Sequence, residues 1–184
     1  MGIRLKYKSW KDINVDTFDK LNKIKVEDEF SANIEMLAIL CDCSTDEIEN
    51  LSTKEFNRLL RKTNFLLSMP KVFVKDNYKI NGKKYTLLSK IADMNVSQYI
   101  DFQTYYKNGN DTKNILSVLL IPKGKKYGQY NLDEVKEDIG KYLNIVDAYS
   151  ICFFFTLLCQ SLTRGIGIYS VFQTKRMMKK EKGK

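Results

Sequence analysis

A stretch written twice constrains this chain more than any other feature. Residues 10–21 return as residues 91–102: Asp12, Asn14 and Val15 recur as Asp93, Asn95 and Val96 at a constant offset of 81. Ile13, Phe18 and Leu21 recur as Met94, Tyr99 and Phe102. Two further blocks keep the offset, Asn33–Leu40 against Asn114–Ile121 and Asn50-Leu51-Ser52 against Asn131-Leu132-Asp133. Each block carries a short polar residue ahead of an apolar helical pattern, which is how a helix start is encoded. We therefore read an internally duplicated helical unit.

The segments between these blocks complete the expected fold. Ile3, Leu5 and Tyr7 alternate with Arg4, Lys6 and Lys8, the period of a half-buried strand. Asn14 or Asp16 can cap a first short helix. Residues 27–40 form a second helix, ended by Cys41-Asp42-Cys43. Ser44 with Glu47, and Ser52 with Glu55, have capping-box spacing. The second of these starts a helix from Thr53 to about Leu67. Val72-Phe73-Val74 reads as a strand. Asn81-Gly82, between two alternating segments, predicts a hairpin, because a type I′ turn needs positive φ at both central residues. In the second copy, Asn95 heads one helix, residues 114–121 form another, and Asp133 stands where Ser52 capped the first. The run around Phe153-Phe154-Phe155 has an apolar core of about ten residues. A bilayer span needs about twenty, so a central buried helix is expected. The fold class is α+β and mainly helical, with a small antiparallel sheet made of the N-terminal strand and the Asn-Gly hairpin. Residues 1–70 are the first repeat, and 71–172 the hairpin and second repeat. The two share one core around Leu37, Leu60, Leu120 and Phe154, and 173–184 are a basic tail.

Composition limits the chemistry. The 184 residues contain no histidine. This excludes Ser-His and Cys-His nucleophilic mechanisms and removes the commonest transition-metal ligand. Cys41, Cys43, Cys152 and Cys159 have no zinc-framework spacing. With no apolar signal run at residues 1–8, they are expected to be reduced thiols in a cytosolic setting, packed as small hydrophobes. Asp12 and Asp93 could pair as metal ligands, but helix starts select the same residue types without any ligand. No catalytic, cofactor-binding or metal-ligating constellation emerges, and a non-enzymatic protein is expected.

The formal net charge of +9 favours an acidic partner. The turn Pro122-Lys123-Gly124-Lys125-Lys126 lacks the spacing of a phosphate-cradling loop. It still exposes cations, as does the tail. Lys123, Lys125, Lys126, Lys175, Arg176, Lys179 and Lys180 are thus the candidate anion or nucleic-acid contacts. Tyr105, Tyr106, Tyr127 and Tyr130 lie among lysines, a pattern that can serve single strands.

In order, the chain carries the D-[IM]-N-V helix start, an apolar I-x-x-[LV]-x-[IL] helix and Asn81-Gly82-Lys83-Lys84-Tyr85. The returning Asp93–Phe102 follows, then Leu119–Tyr127 and the Phe153–Phe155 helix. This order resembles small proteins encoded in the structural gene blocks of tailed phages and prophages of gut Bacteroidetes, including crAss-like phages. The resemblance implies a virion component, packaged or tail-associated, or else a tail assembly chaperone absent from the mature particle. It implies portal, tail or capsid proteins as partners, and the virion or the host cytoplasm as location. It carries over no catalytic residues and does not include the basic tail.

Overall fold

The computed structural model describes residues 2–25, 28–107 and 112–156. Its order is α1 (Val15–Asn22), α2 (Glu29–Cys41), α3 (Thr45–Glu49), α4 (Thr53–Arg61), β1 (Asn77–Ile80), β2 (Lys83–Leu87), α5 (Val96–Lys107), α6 (Thr112–Leu119), β3 (Leu120–Pro122) and α7 (Leu132–Tyr142). A last helix, α8, is described over residues 145–156. The protein is mainly helical with a small three-stranded antiparallel sheet, an α+β fold.

Side chains set the helix starts. Asn14 caps α1 by accepting from the Thr17 amide at 2.8 Å, and Asn95 caps α5 by accepting from the Gln98 amide at 2.8 Å. Ser44 and Glu47 form a complete capping box on α3, and the Ser52 hydroxyl accepts from the Glu55 amide at the head of α4. At α7 the cap is Asn131, which accepts from the amides of Asp133 and Glu134. Asp133 therefore lies inside the first turn and is not the cap. Its carboxylate suits the positive end of the helix there.

Three expectations for extended segments are corrected. Residues 3–8 keep their alternation, with Leu5 buried and Arg4, Lys6 and Lys8 exposed, yet they join no sheet. The Lys6 and Tyr7 amides both donate to the Leu40 carbonyl at the end of α2, so a helix end takes the hydrogen bonds a strand would have taken. Residues 72–74 pair with no strand either; the Phe73 amide donates to the Ser150 hydroxyl of α8. The third strand is β3, in which Leu120 and Ile121 are the residues expected to end a helix. Pro122 has no amide to extend α6, and β2 offers an open edge that Leu120–Pro122 fills, with Leu87 opposite Leu120 and Tyr85 opposite Pro122. The helix beginning at Thr53 is also shorter than expected. It stops at Arg61, and residues 64–67 form a separate 3-10 turn.

Buried residues from both halves of the chain form one cluster. Leu37 and Leu120 lie at its centre with no exposed surface. Leu60 and Phe154 are only half-buried; their neighbours Leu59 and Phe155 point inward instead. On a helix a slip of one residue turns the side chain by about 100°, so adjacent apolar residues cannot be ranked by pattern alone. The described part of α8 buries one face, through Ile145, Ala148, Ile151 and Phe155, and Phe155 meets the Phe102 ring of α5 at 6.0 Å. Ser150, on the opposite side, is 0% exposed where it meets residues 72–74, and Phe153 is the one exposed side chain of residues 145–156. No helix among the described residues is long and apolar enough to cross a membrane.

Candidate interaction surfaces

The Asn81-Gly82 turn has the positive φ values that fix the hairpin register, 48° and 73°. That register sets Lys79 directly opposite Lys84 on the exposed face of the sheet. The Lys123 amide donates to the Lys84 carbonyl at 2.8 Å, continuing the row onto the first residue after β3. Lys79, Lys84 and Lys123 thus lie side by side across two strands and the turn that follows the third. Like charges directly opposed on a sheet face are destabilising, and none of the three has an ion-pair partner among the described residues. Lys125 and Lys126 follow in the exposed turn, which closes through the Lys125 amide and the Pro122 carbonyl with Gly124 at φ 81°. Tyr127 anchors that loop by donating its hydroxyl to Asp101 of α5 at 2.7 Å; burial first, then this hydrogen bond, raises its pKa. Of the sequence candidates, Lys123, Lys125 and Lys126 are therefore brought together. Lys175, Arg176, Lys179 and Lys180 lie outside the described residues. Lys79 and Lys84 were missed, although the Asn-Gly turn already implied that they face each other.

The hairpin's other side is a closed polar lock. Asp138 of α7, 5% exposed, accepts from Asn81 Nδ2 at 2.8 Å, Lys83 Nζ at 2.9 Å and the Tyr85 hydroxyl at 3.0 Å. Burial pushes its carboxyl up, but the three donors and the Lys83 charge together hold it below the usual range. Tyr85 is raised by burial and then by its bond to Asp138, and Lys83 is raised by its bonds to Glu134 and Asp138. Every strong donor is spent inside the lock. It is a device for seating the hairpin on α7, with no group left poised for proton transfer.

A second surface lies on α5. Gln98 and Phe102 face inward, and the Gln98 side chain donates to the Val118 carbonyl at 2.7 Å. On the outer side Val96, Tyr99, Ile100 and Tyr106 stand in the solvent, with Val96 77% exposed. Val15, at the matching position of the first copy, is 0% exposed. It is covered where α1 and α8 begin side by side: the Val15 amide donates to Leu143 and the Ile145 amide to Ile13, around the Asn14–Asn144 bridge. The sequence shows α5 to be apolar on two sides. Which side is covered depends on the tertiary arrangement.

The helix ends where the copies differ are chemically unlike. Asp42 ends α2 in the left-handed conformation and pairs with Lys6 at 2.7 Å. A cleft of about 460 Å³ beside it is lined by Tyr7, Thr17, Lys20, Glu35, Asp42 and Cys43, among others. Cys41, Cys43 and Cys152 are free and half-buried, and burial pushes the Cys41 and Cys152 thiols up to about 11, away from nucleophilic use. Cys159 lies outside the described residues. Asp12 is occupied by the Lys8 amide and the Ser9 hydroxyl, and no His, Cys, Asp and Glu grouping among the described residues could hold a metal. No family model, curated protein or solved structure matches this chain.

Proposed function

We propose that the chain is a non-enzymatic tailed-phage morphogenesis protein, a virion or tail-associated component that works by protein–protein contact. The open apolar face of α5 carries this reading. A folded chain that keeps Val96, Tyr99, Ile100 and Tyr106 in water along one helix presents a surface suited to a partner. The covered equivalent suggests the occupant. Val15 is buried where its backbone pairs with an aliphatic–Asn–aliphatic helix start, Leu143-Asn144-Ile145, and a partner's apolar helix start would pair with Met94-Asn95-Val96 in the same way. The resemblance to phage structural-block proteins supplies the setting, with portal, tail or capsid proteins as partners.

Mass spectrometry of purified particles, with pull-down of the tagged chain from infected cells, tests this. The expected result is detection in particles, or recovery bound to a tail protein, with Val96→Asp/Ile100→Asp abolishing the association. Recovery with a tail protein but absence from particles would identify an assembly chaperone. Absence from both sinks the reading.

The lysine row favours a second reading, a basic module that contacts nucleic acid through phosphates. Its affinity should fall steeply as salt rises. A flat salt response would remove it.

A further inference from the structure

We infer that the cleft between residues 4–8 and the end of α4 is a binding site for a compact phosphate-bearing anion. The cleft holds about 430 Å³ and is lined, among the described residues, by Arg4, Leu5, Lys8 and Lys62. Leu5 is buried, and the three cations are exposed. The chain bends at Lys6, and that side chain goes instead to Asp42, which leaves Arg4 and Lys8 with Lys62. Lys62 is the C-cap of α4. Arg4, Lys8 and Lys62 have no ion-pair partner among the described residues, whereas Lys6, Lys75, Lys83, Lys113, Lys136 and Lys141 all have one. The nearest carboxylate along the chain, Asp12, is held by the Lys8 amide and the Ser9 hydroxyl, each at 3.0 Å.

Uncompensated cations gathered in a concavity repel one another and focus a positive field into it. The negative end of α4 lies beside the cleft with two of its carbonyls already satisfied. Its Leu59 carbonyl accepts from the Lys62 amide at 2.9 Å, and its Leu60 carbonyl from the Thr63 amide at 3.0 Å and hydroxyl at 2.8 Å. A guanidinium fork beside two ammonium groups matches phosphate oxygens. The described lining, three cations around an aliphatic side chain, matches phosphate charge. The same chemistry is offered by the polyphosphate of a free nucleotide and by the backbone of a single strand. The site is separate from the α5 face and from the lysine row, and stands without either.

Trp10, the one tryptophan of the chain, lies two residues beyond Lys8 and provides a fluorescence reporter. The full chain is titrated with pyrophosphate, a nucleoside triphosphate and a short single-stranded oligonucleotide at about 50 mM salt, where phosphate contacts are little screened. Calorimetry runs in parallel. Saturable one-to-one binding of pyrophosphate is expected. Arg4→Gln/Lys62→Gln should weaken it at least about ten-fold, or about 1.4 kcal/mol, with an unchanged circular dichroism spectrum. Lys141→Gln, which removes an exposed cation already paired with Glu137, should leave it unaltered. Tighter binding of the triphosphate than of the oligonucleotide would identify a nucleotide site, and the reverse order a strand contact. Absence of saturable binding by all three, or binding that Arg4→Gln/Lys62→Gln leaves intact, overturns the inference.

Discussion

The two halves of this chain begin alike and end differently. At the offset of 81, α1 corresponds to α5, α2 to α6 and α4 to α7. In each half the central helix, α2 or α6, packs against both of its companions. Local signals explain the likeness, since Asn14 and Asn95 make the same cap with the same bond length. The differences come from what lies alongside. Ile39, Leu40 and Cys41 complete α2, whereas Leu120, Ile121 and Pro122 leave α6 and become β3. The second half has a hairpin next to it and the first has none. Val15 is buried where the start of α8 pairs with the backbone of α1's start, and Val96 has no such pairing among the described residues. One half is thus closed against its own chain, and the other leaves a face open.

The strongest attempt to break this comparison places the same charge at both repeat positions. Val15→Asp should cost at least about 4 kcal/mol, because it buries an unpaired carboxylate. Val96→Asp should change stability by less than about 0.5 kcal/mol, since the position is solvated. Urea denaturation measures both. Equal losses would mean that the α5 face is covered after all.

Next in size is the Asp138 lock, which only the second half possesses. Asp138→Ala leaves Asn81, Lys83 and Tyr85 without their acceptor and should cost about 2–3 kcal/mol. Because the folded-state pKa of Asp138 is depressed, its contribution is present above the unfolded value, near 4, and is lost as pH falls through the folded one. The wild type should therefore lose stability below about pH 4 more steeply than Asp138→Ala. Parallel acid denaturation curves would refute the lock.

A smaller effect tests how the halves are joined. A Cβ on Gly140 of α7 would meet Asp16 Oδ1 of α1 at 2.6 Å, and that carboxylate also pairs with Lys113 of α6 at 2.8 Å. Gly140→Ala should cost about 1 kcal/mol by displacing Asp16. In an Asp16→Ala background the same change should become neutral or stabilising, as alanine is the better helix former. Additive effects in that cycle would mean that the close approach is immaterial. The smallest effect lies on the sheet. Lys79→Thr removes a like-charge pair and should raise stability by a few tenths of a kcal/mol. If the lysine row contacts phosphates, the variant should also lower nucleic-acid affinity. A loss of both would show that Lys79 has a structural partner.

By itself, the sequence determined the features whose physics is local. The caps at Ser44, Ser52 and Asn95 depend on residues three positions apart, and the Asn81-Gly82 turn depends on two, while at α1 the choice between Asn14 and Asp16 fell to Asn14 only in the structure. The missing histidine depends on no structure at all. The duplicated helix start foretold two similar helical sets. The fate of residues 3–8 and of Leu120–Pro122 was not local, because an extended segment becomes a strand only where an edge awaits it. Here β2 chose Leu120–Pro122, and the end of α2 took residues 3–8. The candidate surfaces divide in the same way. Lys123, Lys125 and Lys126 were visible as a basic turn. Their union with Lys79 and Lys84 needed the sheet, and the Arg4–Lys8–Lys62 cleft needed α4 to meet the N-terminal segment. Above all, only the tertiary structure decided which copy of the repeated helix start would be covered, since Val15 and Val96 share a local sequence and differ in their neighbours.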